Sequence, residues 1–137
     1  MRNYYQNINM NPKNKKSTDC VVRALTIATN NTIESVIEEL TKIYIAKGWF
    51  ITDIKCVDRF LTNNGFVKQK MLLHDNNKKF NVVEFCDYLD SININKPVVA
   101  KVGAGHVAVF VRYPEGYCLV DNHDCSKSCI GNWWMIG

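Results

Sequence analysis

Residues 13–30 read KNKKSTDCVVRALTIATN, and the fold turns on how they are interpreted. Thr18 or Asp19 can accept hydrogen bonds from the free N–H groups of a first helical turn, so a helix starts at one or the other. Behind that cap, Val21, Val22, Ala24, Leu25, Ile27 and Ala28 cover most of a helix circumference, with Arg23 as the one charged interruption. A helix that is apolar nearly all round is a buried central helix. Cys20 opens it. A thiol there is either a small packing group or a nucleophile, and the local physics favours ionisation. The helix N-terminus carries roughly half a positive charge, and Lys15 and Lys16 lie just upstream.

Working outward, residues 1–17 are polar, rich in Asn and Lys and interrupted by Pro12, which predicts an irregular arm of about 1–17 leading into the fold. After the first helix, Ile33, Val36, Ile37, Leu40, Ile43 and Ile45 form an apolar stripe between the cap candidate Thr32 and the stop at Gly48, which predicts an amphipathic covering helix. Ile54, Val57, Phe60 and Leu61 recur at helical spacing and predict a third helix from about Thr52 to Asn63. A strand over FVKQKMLL, a turn at HDNNKK and a short helix over NVVEFCDYLDSI follow. The character then changes to short Val-rich runs, KPVVAKVG, GHVAVFVRY and YCLVDNH, broken by glycines and by Pro114-Glu115-Gly116. This is the pattern of an antiparallel meander. The tail NWWMIG reads as a further edge strand. Helices first and antiparallel strands last make the class α+β.

A chain of 137 residues that is 47% hydrophobic has the size of one domain, 1–137, with a core of its own. It contains no apolar run of membrane-spanning length, and its first residues lack the apolar middle of a secretory signal, so a cytoplasmic protein that does not engage membranes is expected. Six cysteines, at 20, 56, 86, 118, 125 and 129, are read as reduced thiols, because a chain this long does not need disulfides to fold. Cys56 and Cys86 sit among apolar helical residues and read as buried hydrophobes. The net charge of +4 concentrates ahead of Asp19, but basic and aromatic residues are not interleaved there, which disfavours nucleic acid as a partner.

A nucleophilic thiol needs a base, and the base needs an orienting group. His74 lies in a polar turn and reads as solvent-exposed; His123, in DNHDCS, is a reserve candidate. His106 opens a strand directly after Gly103-Ala104-Gly105, where small residues leave one side of its ring open, and it is the base of choice. From His106 the chain runs out to Tyr113, turns, and returns to Asp121 and Asn122 beside the histidine. Either can hold an imidazole tautomer, with Asp121 preferred. The donors Cys118, His123, Cys125 and Cys129 are close in sequence, but their spacing is irregular and lacks a C-x-x-C pair, so no metal and no other cofactor is assigned.

The order of Cys20 at a helix start, His106 at a later strand start and Asp121 one hairpin further on resembles the papain-like cysteine peptidase superfamily. DCVVRAL with GHVAVFV and LVD looks most like the bacterial leader peptidases that cut after double-glycine motifs. DCVVRALTIAT with the tail DNHDCSKSCIGNWWM also resembles small uncharacterised phage and mobile-element proteins. The resemblance implies a buried N-terminal helix and covering helices packed on a C-terminal antiparallel sheet. It further implies a thiol hydrolase of peptide or isopeptide bonds, acting on a protein or peptide substrate in a host-cell cytoplasm, with a Cys20-His106-Asp121 triad. Where those peptidases carry an oxyanion-hole glutamine six positions before the cysteine, this chain has the shorter Asn14. Two other outcomes of the same fold stay open: a binding module that engages a host protein without turnover, and an acyltransferase or deamidase using the same three groups.

Overall fold

A computed structural model describes residues 2–137. In chain order the elements are β1 (Tyr5–Asn7), α1 (Cys20–Thr29), α2 (Ile33–Lys47), α3 (Ile54–Asn63), β2 (Phe66–Gln69), α4 (Val82–Ser91), β3 (Val98–Val102), β4 (His106–Tyr113), β5 (Gly116–Asp121) and β6 (Ile130–Ile136). The four helices pack on one six-stranded mixed sheet of order β1-β5-β4-β3-β6-β2, so the α+β class holds.

Strand alternation divides the core between the two faces of that sheet. Val99, Val109, Val120 and Trp134 point toward α1, α2 and α3 and meet Val21, Leu25, Leu40, Val57 and Phe60. Their neighbours Val98, Ala100, Phe110, Leu119 and Trp133 point the other way and are covered by Val82, Phe85, Cys86 and Leu89 of α4. The predicted central helix is α1, whose Val21, Ala24, Leu25 and Ala28 are all buried. Cys56 and Cys86 are fully buried in the two half-cores, and six free cysteines are present.

Local signals set the helix ends. The Thr32 side chain accepts from Ser35 N, and Gly48 takes the left-handed conformation that closes α2. Within α2, Ile45 falls off the expected apolar stripe and is exposed. Asp53 caps α3, and Asn81 and Glu84 form a reciprocal capping box on α4. At α1 the expectation of a side-chain cap is overturned: Asp19 occupies the cap position without accepting from the first turn, because its carboxylate is taken by Arg23 at 2.6 Å.

The structure departs from the sequence reading in three further places. Tyr5–Asn7, expected to be irregular, is a short parallel partner of β5, in register Tyr5↔Leu119 to Asn7↔Asp121. It is anchored by Arg2, which reaches Asp87, Asp90 and the Tyr117 carbonyl. The strand expected over residues 66–73 ends at Gln69. The tail is not an edge: β6 lies between β3 and β2, and Trp133 and Trp134 are buried. A sheet made only from the C-terminal meander is therefore extended by β1 on one side and β2 on the other. Among the described residues no helix is long and apolar enough to cross a membrane.

Candidate active site

The meander brings the two ends of one hairpin together at the N-terminus of α1. Gly103 and Gly105, both at positive φ, turn the chain tightly from β3 into β4, so that His106 is the first residue of the strand and pairs with Val102. After Tyr113 the chain reverses, and β5 runs back antiparallel to end at Asp121. Helix α1 packs across β4, which sets Cys20 against the start of that strand.

Three side chains form a continuous line. His106 Nε2 is 2.6 Å from Asp121 Oδ2. An imidazole has only one other nitrogen, Nδ1, and that is the one left for the Cys20 thiol, which lies close enough for the two groups to shift each other's proton affinity. Sulfur also accepts from the Val107 backbone N–H. Burial pushes the Cys20 thiol up, but the hydrogen bonds from His106 and Val107 and the charges of His106 and Arg23 outweigh it and hold the thiol below its ordinary value. His106 is raised to about 11, chiefly by the hydrogen bond to Asp121, then by those to Cys125 and Cys20, against the opposing effect of burial. His106 is thus held as an imidazolium beside a thiol whose ionisation is favoured.

Asp121 is completely buried, and a buried carboxylate must have both oxygens satisfied. Oδ2 faces His106. Oδ1 accepts from Arg23 Nη2 at 2.7 Å and from the Asn122 backbone N–H at 2.7 Å. Burial raises this carboxyl, yet the His106 hydrogen bond and charge, Arg23 and the Asn122 N–H together keep it below the usual carboxylate range. Arg23 is itself buried and forks between Asp19 and Asp121. It is the functional residue that sequence reasoning passed over. The signal was present, since an arginine on an otherwise buried helix, four positions after an aspartate, requires a countercharge in the core.

Among the sequence candidates, Cys20, His106 and Asp121 come together. Asn122 does not orient the imidazole: its backbone serves Asp121, and its side-chain oxygen lies 3.1 Å from His123 Nδ1. Asn14 sits with positive φ after a turn closed by its N–H on the Asn11 carbonyl, and its side chain is exposed. It is not among the groups that bond to or shift Cys20, His106 or Asp121. His74 stands apart, half-exposed, stacked on Phe80 and 2.8 Å from Glu84. The cysteines of the tail do not gather as a sequence cluster. The Cys118 thiol is buried in β5 and donates to the Asn3 carbonyl, and Cys129 is exposed. Cys125 alone reaches the site, its sulfur 3.9 Å from Asp121 Oδ2.

Because Asp19 turns its carboxylate to Arg23, no side chain caps the first turn of α1. The N–H groups there stay available beside the sulfur, where a developing oxyanion would need donors. No protein-family model, curated protein or solved structure matches this chain.

Proposed function

We propose that the chain is a thiol hydrolase of peptide or isopeptide bonds with papain-like organisation, in which Cys20 is the nucleophile, His106 the base and acid, and Asp121 the orienter. One observation carries this reading: His106 bonds to the buried Asp121 carboxylate at 2.6 Å and stands close enough to Cys20 to draw the thiol toward ionisation, so that a helix start and one distant hairpin supply the three groups. Packing alone does not call for a charged histidine between a thiol and a buried carboxylate, whereas nucleophilic catalysis calls for that order of groups.

In the proposed reaction the Cys20 thiolate attacks the scissile carbonyl carbon, and the oxyanion forms beside the uncapped first turn of α1, where the Cys20 backbone N–H is a donor. His106 then passes its proton to the leaving amine as the C–N bond breaks, leaving a thioester on Cys20. Water, giving its proton back to His106, cleaves the thioester and restores the thiol site. Asp121 keeps Nε2 protonated throughout, so that Nδ1 is the nitrogen that exchanges protons with sulfur.

Site-resolved alkylation with iodoacetamide at pH 6 tests the nucleophile. Cys20 is expected to react faster than Cys129, although Cys129 is the more exposed thiol, and to lose that advantage in His106→Ala. Equal rates for Cys20 and Cys129 would refute the reading. Turnover of a fluorogenic peptide library tests the reaction class, with loss of all cleavage expected in Cys20→Ala.

A further inference from the structure

The segment that follows β5 brings two more donors to the imidazole–carboxylate pair. One ligand atom each from His106, Asp121, His123 and Cys125 lies within 4.8 Å of the others. Nε2 of His106 is 2.6 Å from Oδ2 of Asp121, Sγ of Cys125 is 3.9 Å from the same oxygen, and the two imidazole centroids are 5.1 Å apart. A tetrahedral zinc ion, at about 2.0–2.2 Å from nitrogen or oxygen and about 2.3 Å from sulfur, holds its ligands about 3.3–3.8 Å from one another. The observed spacings bracket that range, so an ion fits after shifts of about 1 Å or less at each donor.

The groups that must shift are those free to do so. The His123 side chain is 54% exposed, and residues 122–125 are a bend and irregular chain. Asp121, by contrast, is fixed through Oδ1 by Arg23 and the Asn122 N–H, which leaves Oδ2 as a single, well-supported ligand atom. Two imidazoles, a thiolate and one carboxylate oxygen suit zinc and disfavour magnesium or calcium, which take oxygen-rich sites.

We propose that His106, Asp121, His123 and Cys125 form a zinc-class metal site whose occupancy switches the Cys20 thiol off. Binding of the ion needs no assumption about catalysis, while the switching rests on the thiol-hydrolase reading. On binding, the metal replaces the proton on His106 Nε2 and the proton on the Cys125 thiol; both go to solvent, nothing is oxidised or reduced, and no bond to Cys20 changes. A neutral imidazole metallated at Nε2 keeps its remaining proton on Nδ1. The ring beside Cys20 is then neutral instead of an imidazolium and no longer supports the thiolate, and Asp121 Oδ2 has turned from the ring to the metal. The charged, Asp121-held ring and the metal-bound ring are therefore exclusive states of His106.

Cobalt(II), titrated into the full chain in a thiol-free reducing buffer, tests the site by spectroscopy. Saturation at one equivalent is expected, with intense tetrahedral d–d bands, a thiolate-to-cobalt charge-transfer band, and displacement by zinc. Cys125→Ser is expected to lose the charge-transfer band, and His123→Asn, at an exposed position where folding is not at stake, to weaken binding ~10-fold or more. Saturating zinc should slow Cys20 alkylation in the native chain and leave it unchanged in His123→Asn at the same zinc concentration. Absence of saturable binding overturns the site, as does a charge-transfer band that survives Cys125→Ser but vanishes in Cys20→Ser. Binding without protection of Cys20 overturns the switch. If Cys20 proves unreactive without metal, the hydrolase reading fails and the cobalt spectra still decide the site; if Cys20 is reactive and the spectra are blank, only the site fails.

Discussion

Replacing Arg23 by methionine removes the countercharge of a buried carboxylate while keeping most of the side-chain volume. In the folded chain the Arg23 side chain is 3% exposed and that of Asp121 1%, with Nη2 and Oδ1 2.7 Å apart. Loss of one charge-assisted hydrogen bond of this kind costs about 1.5–3 kcal/mol, and leaving one member of a buried ion pair alone costs about 3–5 kcal/mol. Asp121 keeps its bonds to His106 and to the Asn122 N–H, and the released Asp19 can turn to water, which puts the expected loss near the lower bound, at about 3 kcal/mol. For a domain of this size that corresponds to a fall in Tm of about 10 °C. Urea denaturation followed by tryptophan fluorescence measures the loss, because Trp133 and Trp134 are buried in β6. The same variant should slow alkylation of Cys20 at pH 6, since the Arg23 charge is one of the effects that hold the thiol below its ordinary value. Arg23→Lys should rescue only part of either effect, because a single ammonium cannot fork to both Asp19 and Asp121. A loss below about 1 kcal/mol, the size expected for a solvent-exposed pair, together with unchanged Cys20 reactivity, would refute the reasoning.

Two further outcomes follow from groups on either face of the sheet. The pKa of His106 in the folded chain, about 11, lies above the ordinary 6.5, so its contribution to stability is complete below about pH 6.5 and is lost as pH rises toward 11. The depressed Cys20 thiol works in the opposite sense and offsets part of that slope, so urea midpoints should fall with pH more steeply in Cys20→Ser than in the native chain, by at most about 1.4 kcal/mol per pH unit. On the other face, Asn81→Ala removes the capping box of α4 and should cost about 1 kcal/mol in the same urea assay while leaving Cys20 alkylation unchanged, since α4 lies across the sheet from α1.

The parts of the site that could be read from the chain are those fixed by local chemistry and by one hairpin. Cys20 was marked by its place at the start of an apolar helix, His106 by the glycines before it, and Asp121 by hairpin arithmetic, because an antiparallel return must bring the end of β5 to the start of β4. Arg23 was noticed only as an interruption, because its second partner depends on α1 lying across the β4–β5 end of the sheet, a tertiary fact with no local signature. The short β1 has too few residues and too polar a composition to announce itself; parallel pairing with β5 and the anchoring of Arg2 decide it. The tail was legible as a strand but not as an interior one, since sheet order departs from chain order when β6 inserts between β3 and β2. Grouping cysteines by sequence distance also missed the cluster around His106, because the bend after Asp121 turns His123 and Cys125 back to the site while Cys118 stays inside β5.

The interior position of β6 bears on how the chain is made. On the ribosome, α1, α2, α3 and β2 emerge well before the strand that joins β2 to the meander, and Trp134, which fills the half-core beneath those helices, follows β3, β4 and β5. Until then the apolar stripes of three helices have only part of their sheet to cover them, so folding cannot proceed stepwise behind synthesis and must wait for long-range pairing. A chain that stops within β6 is therefore expected to leave the apolar faces of α1, α2 and α3 partly uncovered and to aggregate rather than form a smaller domain.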